Sequence, residues 1–103
     1  MSDVLTRLAQ VIEGRKTADP ERSWTAKLLA QGPEKCARKF GEEATEAIVE
    51  AVKGDRQQLT NEAADVLYHL LVMLTSRGVA WQDVLVELER REGDSGIAEK
   101  ARR

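Results

Sequence analysis

Several things are scarce in this chain of 103 residues, and each scarcity removes a class of protein. One cysteine, Cys36, cannot close an internal disulfide, so no disulfide framework holds the fold and the chain fits a reducing compartment. Neither sign of charge is in excess. Sixteen Lys and Arg against eighteen Asp and Glu leave −2, whereas a general nucleic-acid binder is usually strongly basic. A long apolar run is also missing. The longest, residues 63–74, carries Asp65 and His69 and falls short of the roughly 20 residues a membrane span needs. Residues 1–7 lack a basic region followed by an apolar stretch, so no secretory signal is expected and the chain reads as cytoplasmic. Finally, there is room for only one domain, spanning 1–103. A domain this small buries a modest share of its surface and often recruits a metal or a second copy of itself.

What is present reads as helix throughout. Val4, Leu5, Leu8, Val11 and Ile12 recur at helical spacing from about Asp3 to Glu13, with Gly14 as the expected stop and a polar loop over Arg15 to Arg22. Ser23 is placed to cap a short second helix, from Trp24 to about Ala30. Pro33 suits the first position of a third, where its missing N–H is no loss. The third helix should run to about Lys53 with Gly54 at its C-terminal end. Asp55 is the expected N-cap of a fourth reaching about Ser76, and a fifth spans about Trp81 to Arg91. Gly93 to Gly96 reads as a turn before a terminal helical stub. No alternating strand pattern competes, so the fold class is all-α.

The chemistry lies on the third and fourth helices. With each residue about 100° round from the last, Lys39, Glu43, Glu46 and Glu50 share a narrow arc beside the apolar face of Cys36, Phe40, Ala44, Ala47 and Ala51. Carboxylates at i and i+3 repel, so a helix selected for stability alone would alternate signs. Glu62 and Asp65 repeat the pair on the fourth helix, with His69 one turn further, amid Leu59, Ala63, Val66, Leu67 and Leu70. Carboxylates beside such a surface are costly to desolvate unless something positive compensates. The short Gly54-Asp55 connection makes the two helices antiparallel neighbours and brings Glu43, Glu46, Glu62 and Asp65 together. Four hard oxygen donors on facing helices suit Mg²⁺, with Mn²⁺ as a substitute. The plainer reading of each acidic face is a solvated helix surface.

These residues resemble a known family. Glu43-Ala44-Thr45-Glu46 and Glu62-Ala63-Ala64-Asp65 are similar to the E-x-x-E and E-x-x-D metal motif of MazG-like all-α nucleotide pyrophosphohydrolases. Within that superfamily the wording most resembles the phosphoribosyl-ATP pyrophosphohydrolase family. Ser23-Trp24-Thr25-Ala26-Lys27-Leu28-Leu29 is similar to its S-Y-T-x-x-L segment, residues 39–46 to K-x-G-E-E-x-x-E, and residues 62–72 to E-x-A-D-L-x-Y-H-L-L-V. The tail from Arg91 to Arg102 also matches its usual ending. The resemblance implies a MazG-like bundle of about five helices completed by dimerisation. It also implies an Mg²⁺-dependent hydrolysis of 1-(5-phosphoribosyl)-ATP to the AMP compound and pyrophosphate in histidine biosynthesis. Trp24 stands where Tyr is common.

On this reading Glu43, Glu46, Glu62 and Asp65 are the metal ligands, and Glu42 and Glu46 are the catalytic carboxylates. Arg15, Lys16, Arg22, Lys27 and Lys39 are the candidate cations for the substrate's phosphates; Ser95-Gly96 reads first as a plain cap, with backbone N–H groups for a phosphate as its other use. Solvated surface charge is the plain alternative for each cation. His69 reads as a hydrogen-bonded core histidine or a partner to a ligand carboxylate, and Cys36 as packing. Trp24 and Trp81 stand at helix starts, where an aromatic commonly locks the helix into the core; a purine stacking face is the other use. Two functional alternatives remain open: a MazG-like pyrophosphatase of another nucleoside triphosphate, and a non-catalytic helical dimerisation module.

Overall fold

A computed structural model describes residues 3–93 and Lys100. Residues 3–93 form five α-helices and one 3-10 turn: α1 (Val4–Gly14), the turn Arg15–Thr17, α2 (Trp24–Ala30), α3 (Pro33–Lys53), α4 (Arg56–Ser76) and α5 (Trp81–Arg91). No strand occurs among the described residues.

The caps explain the boundaries. Asp3, Ser23 and Asp55 each accept a hydrogen bond from the backbone N–H three residues on, at 2.8, 3.1 and 3.0 Å, and so relieve the unpaired donors of a helix start. Gly54 closes α3 in the left-handed region at φ 81, which costs glycine nothing, and its N–H donates to Glu50 O. Helix α1 ends at Gly14 as expected, although the glycine is right-handed at φ −66 and uses no left-handed conformation. The expected polar loop is corrected only at its start, where Arg15–Thr17 winds into a 3-10 turn. The expected turn at Ser95-Gly96 falls outside the described residues.

Helix α4 is the central element, packed against α3 along much of its length and against α1 and α2 through its second half. Ile12, Leu28, Cys36, Leu71 and Val72 form the buried core, with Leu5, Leu8, Tyr68 and Trp81 packed around it. Cys36 is packing, as expected: it is buried, and its Sγ donates to Leu28 O at 3.3 Å. The core lies in the half of the α3–α4 hairpin remote from its turn. The turn half projects, and Ile48, Val49, Val52 and Leu67 are left exposed on it. Overall size agrees: the radius of gyration is 15.5 Å, against about 13 Å for a compact chain of this length.

Candidate metal centre and active site

Register follows from the turn. In an antiparallel hairpin, residues equally distant from the turn oppose each other. Counting from Gly54, Glu46 lies eight before and Glu62 eight after; Glu43 and Asp65 lie eleven away, Lys39 and His69 fifteen, Cys36 and Val72 eighteen. A single stripe of facing pairs thus runs from the acids near the turn to the core at the far end.

The structure brings Glu43, Glu62 and Asp65 together, one carboxylate oxygen from each lying within 4.8 Å of the others. Glu46 is more exposed but shares a hydrogen bond with Glu62. Crowding shows in the ionisation. Burial, that hydrogen bond and the charges of Glu46, Asp65 and Glu43 push Glu62 up to about 7. Glu43 is also raised, first by burial and then by Glu46 and Asp65, with Lys39 working the other way. Glu62 Oε2 is shut from solvent and has no hydrogen-bond partner among the described residues. An unpaired carboxylate oxygen among other carboxylates is what a cation satisfies, and an all-oxygen donor set suits Mg²⁺ or Mn²⁺. The residues fit the ion.

Around this centre the expected residues divide. Lys39 Nζ pairs with Glu42 Oε2 at 3.3 Å, one turn from Glu43, with Glu42 exposed on the flank. His69 is buried and meets the ring of Tyr68 edge-on at 4.9 Å. Burial and the facing charge of Lys39 lower its pKa, with Asp65 and Glu42 opposing, so its imidazole is largely neutral at pH 7. Its Nδ1 is closed off without a hydrogen-bond partner among the described residues.

Arg15, Lys16, Arg22 and Lys27 are all exposed. Lys16 pairs with Glu13 at 3.0 Å and borders two cavities, of ≈ 460 and ≈ 240 Å³, together with Thr75 and Gly78. Ten residues separate Thr75 from Asp65, about 15 Å along the helix. The structure therefore sets Lys16 and both cavities at the end of α4 away from the acids.

Three features go beyond the expected site residues. Glu50, on the acidic arc but not among the expected ligands, has Oε1 shut from solvent, and Lys53 Nζ reaches it only at 3.8 Å; its i, i+4 spacing from Glu46 was the available signal. Thr25 Oγ1 and Tyr68 Oη are hydrogen-bonded at 2.5 Å, which ties the start of α2 to α4 one turn past Asp65. Nothing local announces that pair across 43 residues. Trp24 was expected to lock α2 into the core, and instead it is 56% exposed. Trp81, in contrast, packs against the core as expected.

Comparison with known proteins adds to this geometry. Residues 5–92 match the family described as phosphoribosyl-ATP pyrophosphohydrolase. The chain is 74% identical over 100 residues to the phosphoribosyl-ATP pyrophosphatase of Dinoroseobacter shibae, covering 97% of this chain and 98% of that one. It is 72% identical over 99 residues to the protein of that name from Paracoccus denitrificans, covering 96% and 92%. The Ruegeria pomeroyi protein of the same name is 70% identical over 100 residues, covering 97% and 95%.

Proposed function

The chain belongs to the phosphoribosyl-ATP pyrophosphohydrolase family, and from that premise we propose that it hydrolyses 1-(5-phosphoribosyl)-ATP to 1-(5-phosphoribosyl)-AMP and pyrophosphate. This is the second step of L-histidine biosynthesis, carried out in the cytoplasm by a single domain spanning 1–103. The observation that carries the reading is the carboxylate cluster on two facing helices, with its unpartnered Glu62 oxygen, in a chain that matches the family along most of its length.

Cleavage of the anhydride between the α and β phosphorus atoms joins one water oxygen to phosphorus as the bridging P–O bond breaks. Glu43, Glu46, Glu62 and Asp65 would hold Mg²⁺. When bound, the ion draws electron density from phosphate oxygens and makes water more acidic. As a ligand Glu62 would be ionised, because a carboxylate must lose its proton to hold a cation. Glu46 adjoins Glu62, and Glu42 flanks the cluster under the charge of Lys39. These two carboxylates orient the attacking water and receive its proton. Lys39 then faces the phosphates, with Arg22 and Lys27 beside the start of α2, whereas Lys16 stands at the far end of α4 from the acids and is left out of this set. Apolar side chains on the projecting hairpin favour completion of the bundle by a second copy, since Ile48, Val49, Val52 and Leu67 otherwise stand in water.

One assay tests the reaction. With Mg²⁺, purified protein should release pyrophosphate from phosphoribosyl-ATP and not from ATP or dUTP. Glu46→Gln and Asp65→Asn should abolish turnover with an unchanged helical circular-dichroism spectrum. Equal release from all three nucleotides would refute the substrate, and release from none would refute the enzyme.

A further inference from the structure

The indole of Trp24 is largely exposed and lies outside the described core. It is 56% exposed at the first position of α2, and among the described residues no ring packs on it. The helix around it is firmly held: Ser23 caps it, Ala26 and Leu28 are buried, and Thr25 is bonded to Tyr68. An indole carried on a firmly held helix start, yet left largely in water, offers an aromatic face at a set place.

Its position can be read from the packing. Thr25 meets α4 at Tyr68, while Leu28 lies in the core with Val72 and accepts from Cys36. Helix α2 therefore runs in the same direction as α4, and its start is the end nearer Asp65 and Glu43. Trp24 lies one residue beyond Thr25 in that direction. Arg22 and Lys27 flank it, both exposed and neither in an ion pair among the described residues. An aromatic face between free cations, beside a carboxylate cluster fit for Mg²⁺, has the chemistry of a nucleotide site: base on the ring, phosphates on the charges.

The substrate class sharpens this, and here the argument rests on the reaction proposed above. Phosphoribosyl-ATP carries its second ribose on N1 of adenine. Alkylation at N1 turns the base into an amidinium that keeps its proton at neutral pH, whereas the adenine of ATP is neutral. Trp is the best aromatic face for a cation. We propose that Trp24 stacks on the N1-ribosylated adenine and selects the cationic base over that of ordinary ATP.

The test uses the whole protein with Mg²⁺ and two stable probes, 1-methyladenosine 5′-monophosphate and AMP, bound by calorimetry at pH 7. The native protein should prefer the methylated nucleotide. Trp24→Leu should weaken its binding about five- to thirty-fold and AMP much less, as expected for loss of a partly desolvated cation–π contact. Trp24→Phe should restore most of the preference. Equal binding of both probes by the native protein, or equal weakening of both in Trp24→Leu, would overturn the proposal. So would a shift of Trp24→Leu to a smaller sedimenting species, which would make Trp24 a subunit contact. Turnover of phosphoribosyl-ATP by the native protein is measured alongside. Its absence with selectivity intact refutes the reaction and leaves Trp24 a binder of N1-alkylated adenine.

Discussion

The hydrogen bond between Thr25 and Tyr68 should join the stability of this fold to its use of substrate. The perturbations are Tyr68→Phe and Thr25→Val, each of which removes one hydroxyl and keeps the shape, and the double substitution. The two oxygens are 2.5 Å apart in a part-buried position, 43 residues apart in sequence, so the contact is tertiary and not a by-product of helix formation. A neutral hydroxyl pair contributes about 0.5–1.5 kcal/mol net, and an abandoned partner costs more where water cannot replace it. Partial exposure admits some water. Each single change should therefore cost about 1 kcal/mol, and the double change hardly more, leaving a coupling of about 1 kcal/mol. In a chain of this size that corresponds to a melting temperature lower by about 4–8 °C. Urea unfolding at one fixed protein concentration measures it, because self-association would make apparent stability depend on concentration. Since Thr25 adjoins Trp24, both single variants should also raise KM for phosphoribosyl-ATP with kcat largely kept. Additive losses, with coupling below about 0.3 kcal/mol, would refute the reasoning.

Two other outcomes are expected. Glu62 is raised from 4.5 to about 7 by burial and its acidic neighbours. Its favourable contribution is therefore complete below 4.5 and lost as pH rises through about 7, the direction in which the metal-free protein should melt earlier. Thermal unfolding between pH 5 and 8 should show that fall. Glu62→Gln should flatten it, and Mg²⁺ should stabilise the native protein more at pH 8 than at pH 5; a flat native profile would refute the assignment. Glu87, held down to about 2 by Arg90 and Arg91, loses its contribution only between 4.5 and about 2, outside that window. On the projecting hairpin, Val52 is 83% exposed and Val4 on α1 66%. Sedimentation velocity should show Val52→Glu shifting the protein to a smaller species and Val4→Glu leaving it unchanged; an unaltered mass for Val52→Glu would place the subunit contact elsewhere.

Much of this protein was legible residue by residue. Helix starts at Ser23 and Asp55 follow from side chains that reach a donor three residues away, and the ends follow where a left-handed glycine is required, as at Gly54. Gly14 ends α1 without such a conformation, since a glycine permits the left-handed region without imposing it. The acid cluster was legible for a similar reason. Spacing of three places Glu43 with Glu46 and Glu62 with Asp65 on single faces, and a tight turn at Gly54 opposes them by symmetry of count. By itself the amino-acid order determined the helices, their faces and the meeting of the acids, because each depends on atoms a few residues apart or on one short turn. Only the tertiary structure decided that α2 settles against α4 through Thr25 and Tyr68, that Lys16 stands at the far end from the acids, and that Trp24 is left in water. Those depend on how separate helices shed their apolar faces onto one core, a choice made by the sum of many weak contacts and carried by no single residue.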